Sequence, residues 1–291
     1  MGFFASVNGD IFPAEEARVS VLDNGFTFGD SVYEVLRTHA GRPFETARHL
    51  RRLRASAGRL GIVVSTTDPE LVAHLLALLD RAANRESYVR IIVTRGVGDS
   101  SYDFDAVVGP TVVMIVKELT PPPERHYSEG IRVAAVDVRR NHPRSLDPAI
   151  KSSNLLNNIL AVREARARGA EEPVLLNLDD FLAEGASTNV FLVKKGALRT
   201  PPLDAGILAG ITREVVCELA DGLGIACRQE PLRLEDLYEA DEAFLTSTTR
   251  DIVPVRQVDD TRVGDGGPGP LTRRLMEAFR ARALEHRGKG P

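Results

Sequence analysis

Lys151 stands apart from the other lysines of the sequence by its neighbours. Apolar Pro148-Ala149-Ile150 precede it, and Ser152-Ser153-Asn154, suited to capping a following helix, come after. Where water is scarce the neutral amine is favoured, and a neutral amine is both a nucleophile toward an aldehyde and a base. The segment also suits a lysine that extends its stem from a helix start and keeps its ammonium in water. Gly210-Ile211-Thr212-Arg213 opens a helical run, and a helix N-terminus offers free N–H groups and partial positive charge to a phosphate. Thr212 adds a hydroxyl there, and Thr246-Ser247-Thr248-Thr249, after the strand-like Glu242 to Leu245, could close over the same anion. Read structurally, Thr212 is an N-cap and the hydroxyl run a strand end. Glu184, in Ala-Glu-Gly-Ala-Ser, is either a solvated turn residue or a carboxylate for a protonated ring nitrogen.

These residues need elements to hold them. Asn8-Gly9-Asp10 breaks the apolar runs between Phe3 and Ser20, which predicts a hairpin. Leu50, Leu53, Ala57 and Leu60 recur at helical spacing between Thr46 and Gly61, and Leu71 to Ala83 repeats the pattern. Tyr88 to Thr94 and Thr111 to Val116 are rich in β-branched residues and predict strands. Pro121-Pro-Pro-Glu-Arg predicts a linker, so the expected division is a smaller α+β domain over 1–120, a linker over 121–130 and a larger domain over 131–291. In the latter, strands are expected at Ile131 to Val138, Pro173 to Leu178 and Asn189 to Val193. Helices are expected at Asn154 to Arg168, Thr212 to Leu223 and Leu271 to Leu284.

Composition narrows the function classes. With 43% hydrophobic and 27% charged residues, 291 residues suffice for two cored domains. A net charge of -4 gives no general field for phosphate backbones, so no nucleic-acid partner is expected, although five lysines against 32 arginines is an uneven basic set. No apolar run reaches the roughly 18 residues that span a bilayer, and no leader pattern opens the chain, which implies no membrane and a cytoplasmic location. Cys217, in a helix-like run, and Cys227, in a strand-like one, form no metal-ligand pattern and are expected to be reduced structural thiols, with no metal site.

The run from 150 to 161, IKSSNLLNNILA, resembles the lysine segment of the class IV aminotransferases, which include branched-chain and D-amino acid enzymes. LAEGASTNVFLVKKGALRTPP (182–202), ILAGITREVV (207–216) and DEAFLTSTTRDIVPV (241–255) follow in that family's order and spacing. DNGFTFGDSVYEVLRTHAGRPF (23–44) and HLRRLRASAGRLGI (49–62) extend the resemblance over nearly the whole chain. The resemblance implies a two-domain α+β / α/β chain of fold type IV, binding pyridoxal 5'-phosphate mainly through its C-terminal domain. It implies that Lys151 holds the cofactor as a Schiff base and shuttles the proton, and that Glu184 faces the pyridine nitrogen. Arg52, Ile211, Thr212 and Thr248 would take the phosphate and Leu208 lie against the ring, with Thr249 on the substrate side. Leu155 stands where branched-chain enzymes carry a tyrosine near the ring and D-amino acid enzymes a leucine.

The substrate residues are mixed. Tyr33 and Val35, in YEVLR, resemble D-amino acid enzymes, where the branched-chain type has phenylalanine and glycine; Arg37 fits either. Tyr88 and Arg90 resemble the branched-chain pattern, and Ser100 and Tyr102 replace the arginine and histidine that D-amino acid enzymes carry there. Arg37 and Arg90 are expected to hold carboxylates, each through two parallel hydrogen bonds; surface ion pairing is the other reading. The expected reaction moves an amino group from an amino acid, the D-enantiomer favoured, to a 2-oxo acid such as 2-oxoglutarate or pyruvate. Alternatives are an L-branched-chain aminotransferase, an (R)-amine transaminase, an aminodeoxychorismate lyase or a cofactor-free binding protein. The resemblance further implies a homodimer in which residues near 100–105 of one subunit close the other's site.

Overall fold

In the computed structural model, which describes residues 2–99 and 101–285, Asn8 and Gly9 take positive φ values of 52° and 99°. They form the two-residue turn of a hairpin between β1 (Phe4–Val7) and β2 (Asp10–Pro13), as Asn-Gly predicts. A short α1 (Asn24–Thr27) leads to the long β3 (Ser31–His39) and the two-residue β4 (Arg42–Pro43). Two helices follow, α2 (Thr46–Arg59) and α3 (Asp68–Ala82), the second started by a capping box between Thr67 and Glu70. With β5 (Ser87–Thr94) and β6 (Val112–Glu118) the strands form an antiparallel sheet in the order β2-β1-β6-β5-β3-β4. Leu50 and Leu53 of α2 and Leu71, Leu75 and Leu78 of α3 join Val32, Leu36, Ile91 and Met114 in one buried core. Because successive strand side chains alternate, Val32, Glu34 and Leu36 face these helices, and Tyr33, Val35 and Arg37 occupy the opposite face.

The other sheet has eight strands. The chain runs through α4 (Arg125–Ser128), β7 (Ile131–Ala135), α5 (Leu156–Ala167), β8 (Glu172–Val174), β9 (Asn189–Lys194) and β10 (Ala197–Thr200). Then come α6 (Ile211–Gly222), β11 (Cys227–Gln229), α7 (Leu234–Tyr238), β12 (Glu242–Ser247), β13 (Asp251–Val258), β14 (Thr261–Arg262) and α8 (Pro270–Glu285). The strand order is β11-β10-β9-β12-β13-β7-β8, with β14 on β13, and it mixes parallel and antiparallel pairs. The side chains of Phe191 and Phe244, on neighbouring strands, stack 5.0 Å apart in its interior.

The chain divides into two compact units. One is formed by the chain up to Thr120, the segment Ile150–Asn154 and the chain from Ala283; the other by Pro121–Ala149 and Leu155–Arg282. The stretch 121–130, expected as a linker, contains α4 and opens the second unit, while the lysine segment belongs to the first. Ser152-Ser153-Asn154 do not cap α5, whose N-cap is Leu155 without a side-chain bond. These residues lie along β3 instead: Tyr33 N–H donates to the Lys151 carbonyl (2.9 Å), Ser153 N–H to the Ser31 carbonyl (3.0 Å), and Ser152 bridges Val32. β3 pairs with β5 on its other side, so its open edge offers more backbone partners than a helix cap would use. The strand expected over Pro173 to Leu178 is shorter, β8, and continues as an isolated bridge between Leu176 and Leu182.

Candidate active site

In the first unit the lysine segment and the β3–β5 ladder bring several candidates together. Arg37 lies opposite Tyr88 and Val35 opposite Arg90, so Tyr33, Val35, Arg37, Tyr88 and Arg90 share the sheet face away from α2 and α3. The Lys151 ammonium nitrogen Nζ lies 4.4 Å from the centre of the Tyr33 ring, and the Arg90 guanidinium carbon 4.0 Å from it. The backbone holds Lys151 in place, because its N–H donates to Ser56 Oγ of α2 at 3.1 Å. Ser100 lies outside the described residues.

The opposite face of β3 carries a buried charge cluster. Arg52 donates from Nε and a terminal nitrogen to the two oxygens of Glu34, at 2.7 and 2.8 Å, and His49 Nδ1 lies 2.7 Å from the same carboxylate. Burial opposes ionisation of Glu34, but the charge and hydrogen bonds of Arg52 and His49 outweigh it and hold the carboxyl at about 2. Burial also keeps His49 below its ordinary value; Glu34 works against this, and the charges of Arg52 and Lys151 add to it. Arg52, expected from the resemblance as a phosphate ligand, is therefore oriented by Glu34 through one edge of its guanidinium.

The second unit positions the others. Glu184 is buried rather than a solvated turn residue. Its carboxylate accepts from Arg140 Nε (2.8 Å), the Leu208 N–H (3.0 Å) and Asn189 Nδ2 (3.3 Å). Arg140 also reaches Asn157 and Asn158 of α5. Asn189 donates to the Leu208 carbonyl too, so Glu184 and the segment 208–210 before α6 are one bonded assembly. A Cβ on Gly210 would lie 1.9 Å from Asn189 Oδ1, so a larger residue there would push that amide out of the assembly. Gly210 is the N-cap of α6, which puts Ile211 and Thr212 in its first turn, both buried; the capping role read for Thr212 falls to Gly210. Thr248 and Thr249 form the turn between β12 and β13, with Arg250 bonded to Glu172 of β8 at 2.9 Å. Thr246 and Ser247, expected beyond the strand, end it, and their buried hydroxyls have no hydrogen-bond partner among the described residues.

Glu34, His49, Arg140 and Asn189 were not singled out from the sequence. Glu34 had a signal, since it falls in the apolar phase of Val32-Glu34-Leu36, where a charge must be paired. His49 had one too, beside Leu50 and one turn before Leu53 on the buried side of α2. Arg140 had none, standing in Arg139-Arg140 with no pattern to distinguish the two.

Known proteins resemble this chain over nearly its whole length. A Methanocaldococcus jannaschii protein provisionally named a branched-chain-amino-acid aminotransferase is 40% identical over 94% of this chain and 94% of its own. The D-alanine aminotransferase of Bacillus licheniformis is 33% identical over 97% of this chain and 98% of its own. The pyridoxal phosphate form of the branched-chain amino acid aminotransferase of Thermobaculum terrenum has the same fold, with a TM-score of 0.86 and 28% identity, covering 97% of this chain and 94% of that one. Residues 31–258 match the family model described as amino-transferase class IV, and with it the chain belongs to the class IV aminotransferases, of fold type IV.

Proposed function

We propose that this chain is a pyridoxal 5'-phosphate transaminase that moves an amino group from an amino acid, D-amino acids favoured, to 2-oxoglutarate or pyruvate. The observation that carries the reading is the Lys151 amine, 4.4 Å from the Tyr33 ring on a strand face that also presents Val35, Arg37, Tyr88 and Arg90. The residues fit the cofactor. The first turn of α6 after Gly210, with Thr212 and Ile211, suits a phosphate, and the partnerless buried hydroxyl of Ser247 beside Thr248 is a donor that an anion would satisfy. Arg52, preset by Glu34, supplies a guanidinium, Leu208 the apolar contact for the ring, and Glu184 the carboxylate for the ring nitrogen. Bound pyridoxal phosphate supplies an aldehyde and an electron-withdrawing ring, the sink that lets an amino acid give up its α proton. Lys151 Nζ takes that proton and returns it to the other side of the exchange. Arg37 and Arg90 bind carboxylates, and two guanidinium groups on one face suit a dicarboxylic partner such as 2-oxoglutarate.

Val35, directly opposite Arg90, fills space that glycine would leave for a branched side chain, which supports the D-amino acid preference. Tyr88 and Arg90 on the same face, with the branched-chain names among the relatives, favour the second reading, an L-branched-chain aminotransferase. Incubation with D-alanine, D-glutamate, L-leucine and (R)-1-phenylethylamine, following conversion of the bound cofactor to its amine form, tests both. Rapid conversion by L-leucine alone overturns the first.

The same reading includes a homodimer. Phe26, Phe28, Tyr102, Phe104 and Val108 are exposed in the first unit, and the Phe28 and Tyr102 rings meet at 5.1 Å. An apolar surface of this kind suits a second copy of the chain, and residues 101–105 suit closing that copy's site. Sedimentation as a monomer at micromolar concentration would remove this part. No helix among the described residues is long and apolar enough to cross a membrane, and a cytoplasmic location is part of the proposal.

A further inference from the structure

Cys217 and Cys227 sit ten residues apart in sequence, one on α6 and one on the edge strand β11, with their sulfur atoms 3.4 Å from each other. Both are partly exposed, so a small oxidant has access. One helical turn before Cys217, the Arg213 side chain is buried; a terminal nitrogen bonds the Pro201 carbonyl (2.9 Å) and Gln229 Oε1 of β11 (3.0 Å). Arg213 Nε is buried without a hydrogen-bond partner among the described residues. The guanidinium therefore brings a positive charge beside the two thiols and ties α6 to the strand that carries the second one. We infer that Cys217 and Cys227 are a thiol–disulfide site, oxidised by hydroperoxides to a bridge between α6 and β11.

A disulfide needs its sulfur atoms about 2.05 Å apart, which side-chain rotation from contact distance can supply. The Cys227 thiol donates toward Cys217, and this bond lowers the pKa of Cys217 against the opposing effect of burial, with Arg213 helping. Cys227 is pushed the other way, by the same bond and by burial. Cys217 is therefore the attacking thiolate and Cys227 the resolving thiol. The Cys217 sulfur attacks one peroxide oxygen; the O–O bond breaks, water or an alcohol leaves, and Cys217 becomes a sulfenic acid. The Cys227 sulfur then attacks the Cys217 sulfur; the S–S bond forms, the S–O bond breaks, and hydroxide leaves as water with the Cys227 proton. Two thiols lose two electrons and one hydroperoxide gains them. The inference uses no residue of the transaminase reading, and the two can fail separately.

The holoenzyme, treated with a few equivalents of hydrogen peroxide, denatured and alkylated without reductant, gives the test by mass spectrometry. The expected result is loss of both alkylatable thiols, a mass decrease of about 2 Da, a cross-linked peptide pair from 217 and 227 within one chain, and reversal by dithiothreitol. Tm of the oxidised protein should rise by roughly 5 °C, since the bridge closes a short loop. In Cys227→Ser, Cys217 should be trapped as a sulfenic acid by a dione reagent, whereas Cys217→Ser should leave Cys227 reduced. Two alkylatable thiols at a peroxide level that oxidises a cysteine peptide, or a bridge formed only between chains, overturns the site. Equal oxidation of the two single variants overturns the assigned order.

Discussion

Lys151→Ala is expected to abolish transamination and leave the fold intact, because backbone groups hold this segment: the Lys151 carbonyl to Tyr33 and its N–H to Ser56. Turnover by the folded variant, checked by circular dichroism and a substrate half-reaction, would sink the assignment. Arg140→Ala acts differently. It removes the charged partner of buried Glu184, at a cost of roughly 3–5 kcal/mol, so Tm should fall and cofactor affinity with it. Thermal melts and a pyridoxal phosphate titration check this; an unchanged affinity would detach Arg140 from the cofactor side of Glu184. At this scale the sequence made some residues legible and hid others. The helical periodicity around His49 and the strand alternation around Glu34 force both inward, whereas Arg139 and Arg140 differ only in the direction the chain takes after β7. One meets exposed Asp180 and the other buried Glu184.

Strand pairing sets which side chains share a sheet face with Tyr33. Val35→Gly on β3 should raise the ratio of L-leucine to D-alanine turnover by about 10-fold or more, the scale of a few methylene groups in a pocket. The strand itself should lose only about 0.5–1 kcal/mol; an unchanged kcat/KM ratio would remove Val35 from substrate choice. A second element-level contact is Asp23, fully buried, which accepts from Gly25 N–H (2.8 Å), Thr94 Oγ1 (2.9 Å) and Thr111 Oγ1 (2.7 Å). Asp23 also bridges Val97, so it fastens the loop after β5 to the chain before α1. Asp23→Ala should cost about 2–3 kcal/mol and speed amide exchange over 95–110, with little change elsewhere. Most elements were legible because their periodicity matches burial. The lysine segment was not: Ser-Ser-Asn has the composition of a helix cap, and the open edge of β3 claimed its backbone instead.

For the whole molecule, the Glu34–His49–Arg52 cluster sets an acid limit. Folded Glu34 stays ionised to about 2 against an ordinary 4.5, so its contribution, roughly 3 kcal/mol, is present above 4.5 and lost as pH falls toward 2. Folded His49 resists a proton that the unfolded chain accepts below about 6.5, so stability already starts to fall there. Urea unfolding from pH 7 to 2 should show a continuous decline, and His49→Asn should flatten its upper part; a flat profile for the unaltered protein would contradict the cluster geometry. The division of the chain has a consequence during synthesis. The edge of β3 near Tyr33 is covered by residues 150–154, which emerge from the ribosome after α4 and β7. At ~5–20 residues per second, the 34 residues from Thr120 to Asn154 take about 2–7 s. During that interval the nascent first unit presents an unpaired strand edge, a template for mispairing with a neighbouring nascent chain. The stretch that carries Lys151 is thus also the stretch that ends this exposure, and a ribosome stalled before residue 150 would leave that edge open.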